Sequence, residues 1–520
     1  MLVKKNKTSL MRLKNNRGSV LLTTYLVTTL LLGLGAAFLV LSIGEGRSSE
    51  VQRKVTQAFY IAEAGIERAI YDLREDYTDN QNWADSVING WTVDTTDTDA
   101  DGYYPLPDAA DAGNSGYATT ALGEGSYSVS LQNGAGNDGM WVRSIGTVDG
   151  VSQTVLIYLA AVSLSPWDNA IFGGAGASGT MVNGNVKIIG SVHILGDGLA
   201  DGDNAIDLGG TAELVGNNYS SLESALDDKV PALPTVLFGG ETVSTLNAEL
   251  RVKNGLVGLS GSSTVGAVNV TGNSHKETVD GAYVTDGYNG NKGILNVNSD
   301  NGYSEAYDLG DAVSFPSLND AIGGYGSYYD YFNAEGYTLS AAEMANVASL
   351  DPSMADFTYG ATGDCAVDTN CISMTSGALY VKGKVYVNGG TLGITGDTVE
   401  YTGSGTLLVT GDVTINEDLV TIGDDSFPTN IAAIMTPGDI DIGTGAGAAQ
   451  LDVMGLFYAE GNVTTAKQTD LMGTVVSNYF NVSAQVPSIY QVPETANNLP
   501  DGLISPEPVY LMKVVSWQKI

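Results

Sequence analysis

The sequence predicts an α+β protein: a long N-terminal helix, transmembrane then amphipathic, a small β-meander head, and a large all-β region wound as a β-solenoid. Three observations carry this reading. An uncharged stretch of 26 residues, 19–44, runs without a break into a segment whose apolar residues recur at spacings of three and four. Three alternating segments follow between residues 125 and 162, separated by Asn-Gly, Asn-Asp-Gly and Asp-Gly. Beyond them, short Val/Ile-rich segments recur with Gly, Asn and Asp between them, and "ITGD" at 394–397 returns as "VTGD" at 409–412. A β-sandwich of longer strands is the rival for this last region.

The first element is set by charge and length. Residues 1–18 carry six Lys or Arg and no acid; removing that +6 from the formal −36 leaves −42 for the remainder. One end therefore suits the cytoplasm and the rest suits export. As a helix, residues 19–44 extend about 39 Å, enough to cross a hydrocarbon core. A secretory signal would have a shorter apolar run with a small-residue junction after it. Here the well-placed junction, Gly18-Ser19, comes before the run. Val51, Val55, Ala58, Ala62, Gly65, Ala69 and Leu73 continue the helical spacing to about Asp76. A plain signal anchor is the bland alternative.

The basic leader ending at Gly18, the long apolar helix and "QAFYIAEAGIERAI" at 57–70 together resemble type IV pilin-like proteins, and within them the PilX-like minor pilins. The resemblance covers residues 1–76. It implies recognition by a prepilin peptidase at the inner membrane, cleavage after Gly18, methylation of the new terminus at Ser19, and assembly with other pilin-like subunits. One departure matters. Major pilins carry a glutamate at the fifth mature position, and this chain has Thr23 there. A carboxylate in a bilayer is costly unless paired, so its absence eases insertion and removes one register for assembly. That favours a minor, priming or tip subunit.

The expected domains are therefore a leader at 1–18, the helix at 19–76 with its membrane span at 19–44, an α+β head at 77–165 and the solenoid at 166–520. "VNGNVKIIGSVHILG" at 182–196 is similar to bactofilin-type solenoid repeats. Stretches 220–250 and 315–355 break the rhythm and read as excursions, the second with a short helix near 339–349 opened by Ser340. Tyr325, Tyr328, Tyr329, Tyr331 and Phe332 are either a ligand patch or the cover of a core edge. The last segment, "PEPVYLMKVVSWQKI", reads as a strand whose Trp517 seals the solenoid.

Chemistry is sparsely signalled. The chain holds 59 Asp plus Glu against 23 Lys plus Arg, which makes nucleic acid an unfavourable partner. His193 and His275 stand without a nucleophile motif. "GAGASG" at 174–179 leads into a strand and so offers no helix N-terminus to a pyrophosphate. No catalytic residues are assigned, and the chain is expected not to be an enzyme. The candidate metal site is "DTDADGYYPLPD", where Asp97, Asp99, Asp101, the Tyr103 carbonyl and Asp108 have calcium-loop spacing. Its alternative is an Asp-rich solvated loop. Cys365 and Cys371 read as a local disulfide in an exported protein, with two free thiols the alternative.

The functional expectation is a minor pilin-like subunit of a type IV pilus-type filament, at the inner membrane before assembly and in an extracellular filament or at the cell surface afterwards. Its head would serve assembly, tip display or adhesion to a surface or glycan ligand. A pseudopilin-like secretion component and an anchored polysaccharide-active β-helix enzyme are the alternatives.

Overall fold

The computed structural model describes residues 17–80, 82–83, 87–88, 91–93, 95–96, 98–106, 119–134, 139–177, 186–200, 202–446, 450–482, 486–505 and 509–520. The basic leader up to residue 16 lies outside them. The chain divides into two compact units, one running to Val162 and taking back Tyr510–Ile520, the other Ser163–Val509.

In the first unit, helix α1 (Arg17–Asn80) is continuous over 64 residues, slightly longer at each end than its pattern predicts. Its second half lays Ala58, Ala62, Ile66, Ala69 and Leu73 on an antiparallel sheet, all of them buried. The sheet is built from β1 (Thr119–Leu122), β2 (Gly125–Asn133), β3 (Gly139–Val148) and β4 (Val151–Leu164), paired in that order. Asp149 and Gly150, with φ of 47° and 79°, form the two-residue turn between β3 and β4. Positive φ at both positions gives that turn the twist a hairpin needs. Helix and sheet approach closely because Gly146 has no side chain. A Cβ there would strike the Ala58 carbonyl and the Ala62 backbone.

The C-terminal strand, Val509–Lys519, corrects the expected boundary at 166–520. It lies beside β4 in the head sheet, and the Ile520 amide donates to the Thr154 carbonyl at 3.0 Å. Trp517 does not seal the solenoid; it meets Phe59 of α1 edge-on at 6.1 Å. Alternation identified a strand and could not identify its partner. The large second unit is thus inserted between two neighbouring strands of the head.

The second unit is a stack of parallel coils. Its main ladder comprises β5 (Ile171–Ala177), β6 (Val192–Ile194), β7 (Glu249–Val252) and β8 (Gly281–Val284). Further along the chain come the helices α2 (Tyr328–Glu335) and α3 (Ala341–Val347), then β9 (Cys371–Thr375), β10 (Ala378–Val387), β11 (Ser404–Val409), β12 (Ile431–Thr436), β13 (Gln450–Thr465) and β14 (Gln468–Asn481). The spatial order is β8-β7-β6-β5-β14-β13-β12-β11-β10-β9, parallel except for the last pair. The chain therefore comes in at the middle and winds to one end. It then returns along the outside and starts again at the far end, so that its last coil closes on its first.

Inward side chains stack in register, for example Leu250, Val192, Ile171, Val475, Phe457 and Ile434, and all are buried. The outward side chains of the same strands are also covered. Residues 305–340 run back over several of them, Tyr307 on His193, Phe315 on Phe172 and Tyr458, and Phe332 on Tyr386. All six residues of β12 are buried, with Met435 meeting the Ile504 amide, so the alternation disappears there. The excursion expected at 315–355 is this return connection. Within it Ser340 caps α3 in a reciprocal capping box with Glu343.

On another face of the stack, Asp452 and Asp470 sit opposite each other in register, and the Asp452 amide donates to Asp418 at 3.0 Å. Burial, then the charges of Asp418 and Asp470, push the Asp452 carboxyl up to about 6. A carboxyl raised in the folded state binds its proton more tightly than in the unfolded chain. Its destabilising effect is complete above pH 6 and is relieved as the pH falls towards 4. Asp452→Asn should stabilise this unit at pH 8 by on the order of 1 kcal/mol, allowing for partial exposure, and by nothing measurable at pH 4; paired denaturation curves check this. Gly146→Val should destabilise the head by about 1–3 kcal/mol, read as faster amide exchange over residues 58–69.

Candidate assembly surface

The first half of α1 is the most exposed apolar surface of the described chain. Large side chains such as Leu21, Leu22, Tyr25, Leu32, Phe38 and Val40 are more than half exposed. Over Val20–Thr78 this helix has the length and apolar character to cross a membrane, and none of its most apolar stretch is buried. Its threonines hide their own polarity. Thr24, Thr28 and Thr29 each donate a hydroxyl at 2.7 Å to the carbonyl four residues back, and Thr23 donates to Val20 at 3.2 Å. An apolar surrounding then meets methyl groups and no free hydroxyl donor from these residues. The Gly18-Ser19 peptide lies in the first turn of α1.

Charge begins where the helix reaches the head. Glu50 bonds Arg53 at 2.8 Å, and Lys54 bridges to Asp149 in the β3-β4 turn at 3.1 Å. The apolar rod is thus pinned at its base by the hairpin that the Asp-Gly signal marked. Further along, the Trp83 indole donates to the Leu73 carbonyl at 2.8 Å.

The candidate calcium loop is organised by a residue that the sequence reading passed over. Arg143 on β3 bonds the Asp99 carboxylate, lies 3.5 Å from Asp101, and stacks over the Tyr103 ring at 4.2 Å. Asp99 also accepts from the amides of Asp101 and Tyr103 at 2.9 and 3.0 Å. The Arg143 hydrogen bond holds the Asp99 carboxyl below the usual carboxylate range. The Tyr103 carbonyl accepts from the Asp99 amide. Asp97 and Asp108 lie outside the described residues. Among those described, no three acidic, His or Cys side chains converge as a metal set. The cation of this loop is a guanidinium, and a metal ion would have to share Asp99 and Asp101 with it.

The remaining candidates are structural. Cys365 and Cys371 are bonded, with Cα atoms 5.6 Å apart, beside the antiparallel strands that close one end of the stack. Phe332 and Tyr328 of α2 are buried, and Phe332 packs against Tyr386 at 6.3 Å. Tyr325 reaches Glu335 with its hydroxyl. The cluster therefore covers a core edge. The first four residues of "GAGASG" form the end of β5, a strand, and its last two lie outside the described residues.

A long exposed apolar helix continuing into a small antiparallel head, with a large, mainly β unit inserted before the last strand, defines a pilin-like α+β fold. A particular solved structure shares it: the competence-associated pilin ComZ from Thermus thermophilus, at 21% identity and a TM-score of 0.54, covering 90% of this chain and 97% of that one. No protein-family model and no curated protein sequence matches the chain. At that identity the likeness is one of fold.

Arg143→Leu should leave Asp99 and Asp101 without their cation. The expected result is faster amide exchange over residues 98–104 and a head less stable by about 1–3 kcal/mol; unchanged exchange would assign the loop's order to another contact.

Proposed function

We propose that the chain is a minor pilin-like subunit of a type IV pilus-type filament, processed after Gly18 and displaying its inserted coil stack outside the cell. The observation that carries this reading is the division of α1 into an exposed apolar half and a half buried on its own sheet. The first half suits a membrane before assembly and the helices of neighbouring pilin-like subunits afterwards. Thr23 supports a minor position, because its hydroxyl is satisfied within the helix and brings no carboxylate to a subunit contact. The resemblance to PilX-like minor pilins points the same way. The bulk of Ser163–Val509 would crowd a helical shaft, which favours display near a tip. The role is one of assembly and of presentation to a surface or glycan ligand, and requires no catalysis. The fold neighbour is competence-associated, so transformation is a natural phenotype to score; the formal charge of −36 argues against this chain itself holding nucleic acid by its phosphates.

The mature N-terminus tests the reading. Sequencing of the protein from native membranes or filaments should begin at Ser19, carrying an added methyl group. Replacing Gly18 by a bulky residue should retain the leader. Recovery of Met1 on the native protein, or normal processing of the Gly18 variant, would reject the assignment.

A further inference from the structure

The return segment of the second unit is not held uniformly. From Phe315 onward its hold is largely apolar and backbone-based, with the Ser317 hydroxyl and the Leu318 amide also donating to Glu460 at 2.7 Å. Phe315 stacks on Phe172 and Tyr458 at 6.3 and 5.8 Å, and the Pro316 carbonyl accepts from the Tyr458 hydroxyl at 2.6 Å. Between residues 305 and 312 the hold is mainly polar, with Leu309 packed against the apolar core. The Tyr307 hydroxyl meets His193 Nε2 at 2.7 Å, Asp308 accepts from Arg251 Nε at 3.2 Å, and Asp311 pairs with Lys253 at 2.6 Å. Most of these segment residues are exposed, whereas His193 and Arg251 beneath them are buried.

The two buried groups face the same way for a topological reason. Phe172, His193, Arg251 and Tyr283 occupy successive coils in register on the outward side of the ladder. The imidazole therefore has the guanidinium as its direct neighbour in the next coil, and the Phe172 ring edge-on at 5.1 Å in the previous one. Glu249 and Asp308 bond the guanidinium and not the imidazole. The remaining charged groups close to Tyr307 are Asp197 and Asp311.

We infer that residues 305–312 form an acid-released latch over this polar end of the ladder, with His193 as its sensor. A second positive charge beside Arg251, under a cover that keeps water out, has no carboxylate bonded to it. The Tyr307 hydroxyl can donate to Nε2 only while that nitrogen carries no proton. Releasing the segment hydrates the imidazole and separates its charge from a low-dielectric cover. Burial, with Arg251 contributing, lowers the closed-state imidazole to about 3 from its ordinary 6.5. A depressed basic group stabilises the closed form fully above its free value, and that stabilisation is lost as the pH falls towards the closed value. The bond to Lys253 holds the Asp311 carboxyl below the usual carboxylate range, and a variant without the imidazole isolates the histidine's share between pH 7.5 and 5.

Hydrogen exchange on the full chain in detergent, corrected for the intrinsic pH dependence of amide exchange, tests the latch. Opening of residues 305–312 should rise about thirtyfold between pH 7.5 and pH 5, while residues 315–318 stay protected. His193→Gln, which cannot titrate, should abolish that rise. Tyr307→Phe should loosen the segment at both pH values yet keep the acid response. Equal opening of the unaltered protein at both pH values, or an undiminished acid response in His193→Gln, would overturn the inference.

Discussion

The contact on which the second unit depends is the parallel pairing of β5 with β14. Val475 and Val476 lie against Ile171 and Phe172, about three hundred residues earlier in the chain. Without it the unit is two short stacks, each with an open edge facing the other. With it, one continuous core runs from β8 to β10. Side-chain bonds reinforce the seam: the Ala175 amide donates to Asn478 at 3.2 Å, and the Trp167 indole donates to the Ile504 carbonyl at 2.7 Å. The second bond ties the segment by which the chain comes in to the one by which it leaves. The insertion can therefore begin and end on adjacent strands of the head without a long linker.

This arrangement has a kinetic cost. Coils within each winding pair with their sequence neighbours, but the seam cannot form until the second winding is complete. Long-range parallel pairing is slow because loop closure must precede its contacts. Until then the edges of β5 and β14 are unpaired, which is a hazard for association. At the far end the danger is handled locally, since β9 turns antiparallel on β10 and the bonded Cys365 and Cys371 hold the adjoining loop.

Much of the fold was legible because it is local. Twenty-six uncharged residues, an Asp-Gly pair between alternating segments, and Ser340 three residues before Glu343 each specify their structure within a few residues. What the sequence could not convey is partner choice. The coil order, the return of Val509–Lys519 to the head, and the return segment over the outward ladder are set by contacts hundreds of residues apart. The same holds at the site. The Asp-x-Asp-x-Asp spacing was visible, whereas Arg143, which supplies the cation, stands over forty residues away on β3. Its signal was a lone arginine in an otherwise uncharged strand.

The two halves of α1 answer to opposite solvents, and the sequence separates them within a few residues. Up to Gly44 every threonine hydroxyl that could trouble an apolar surrounding is spent on the helix's own carbonyls. From Glu45 onward, charges appear and are engaged by the head, through Lys54 and Asp149 above all. Small residues then let the sheet approach, with Ala58 and Ala62 over Gly146. A helix that was apolar throughout would aggregate away from its head, and one amphipathic throughout could not enter a bilayer. The abrupt change lets one rigid element anchor a folded, strongly acidic body while keeping a long apolar face free for a membrane or for other helices.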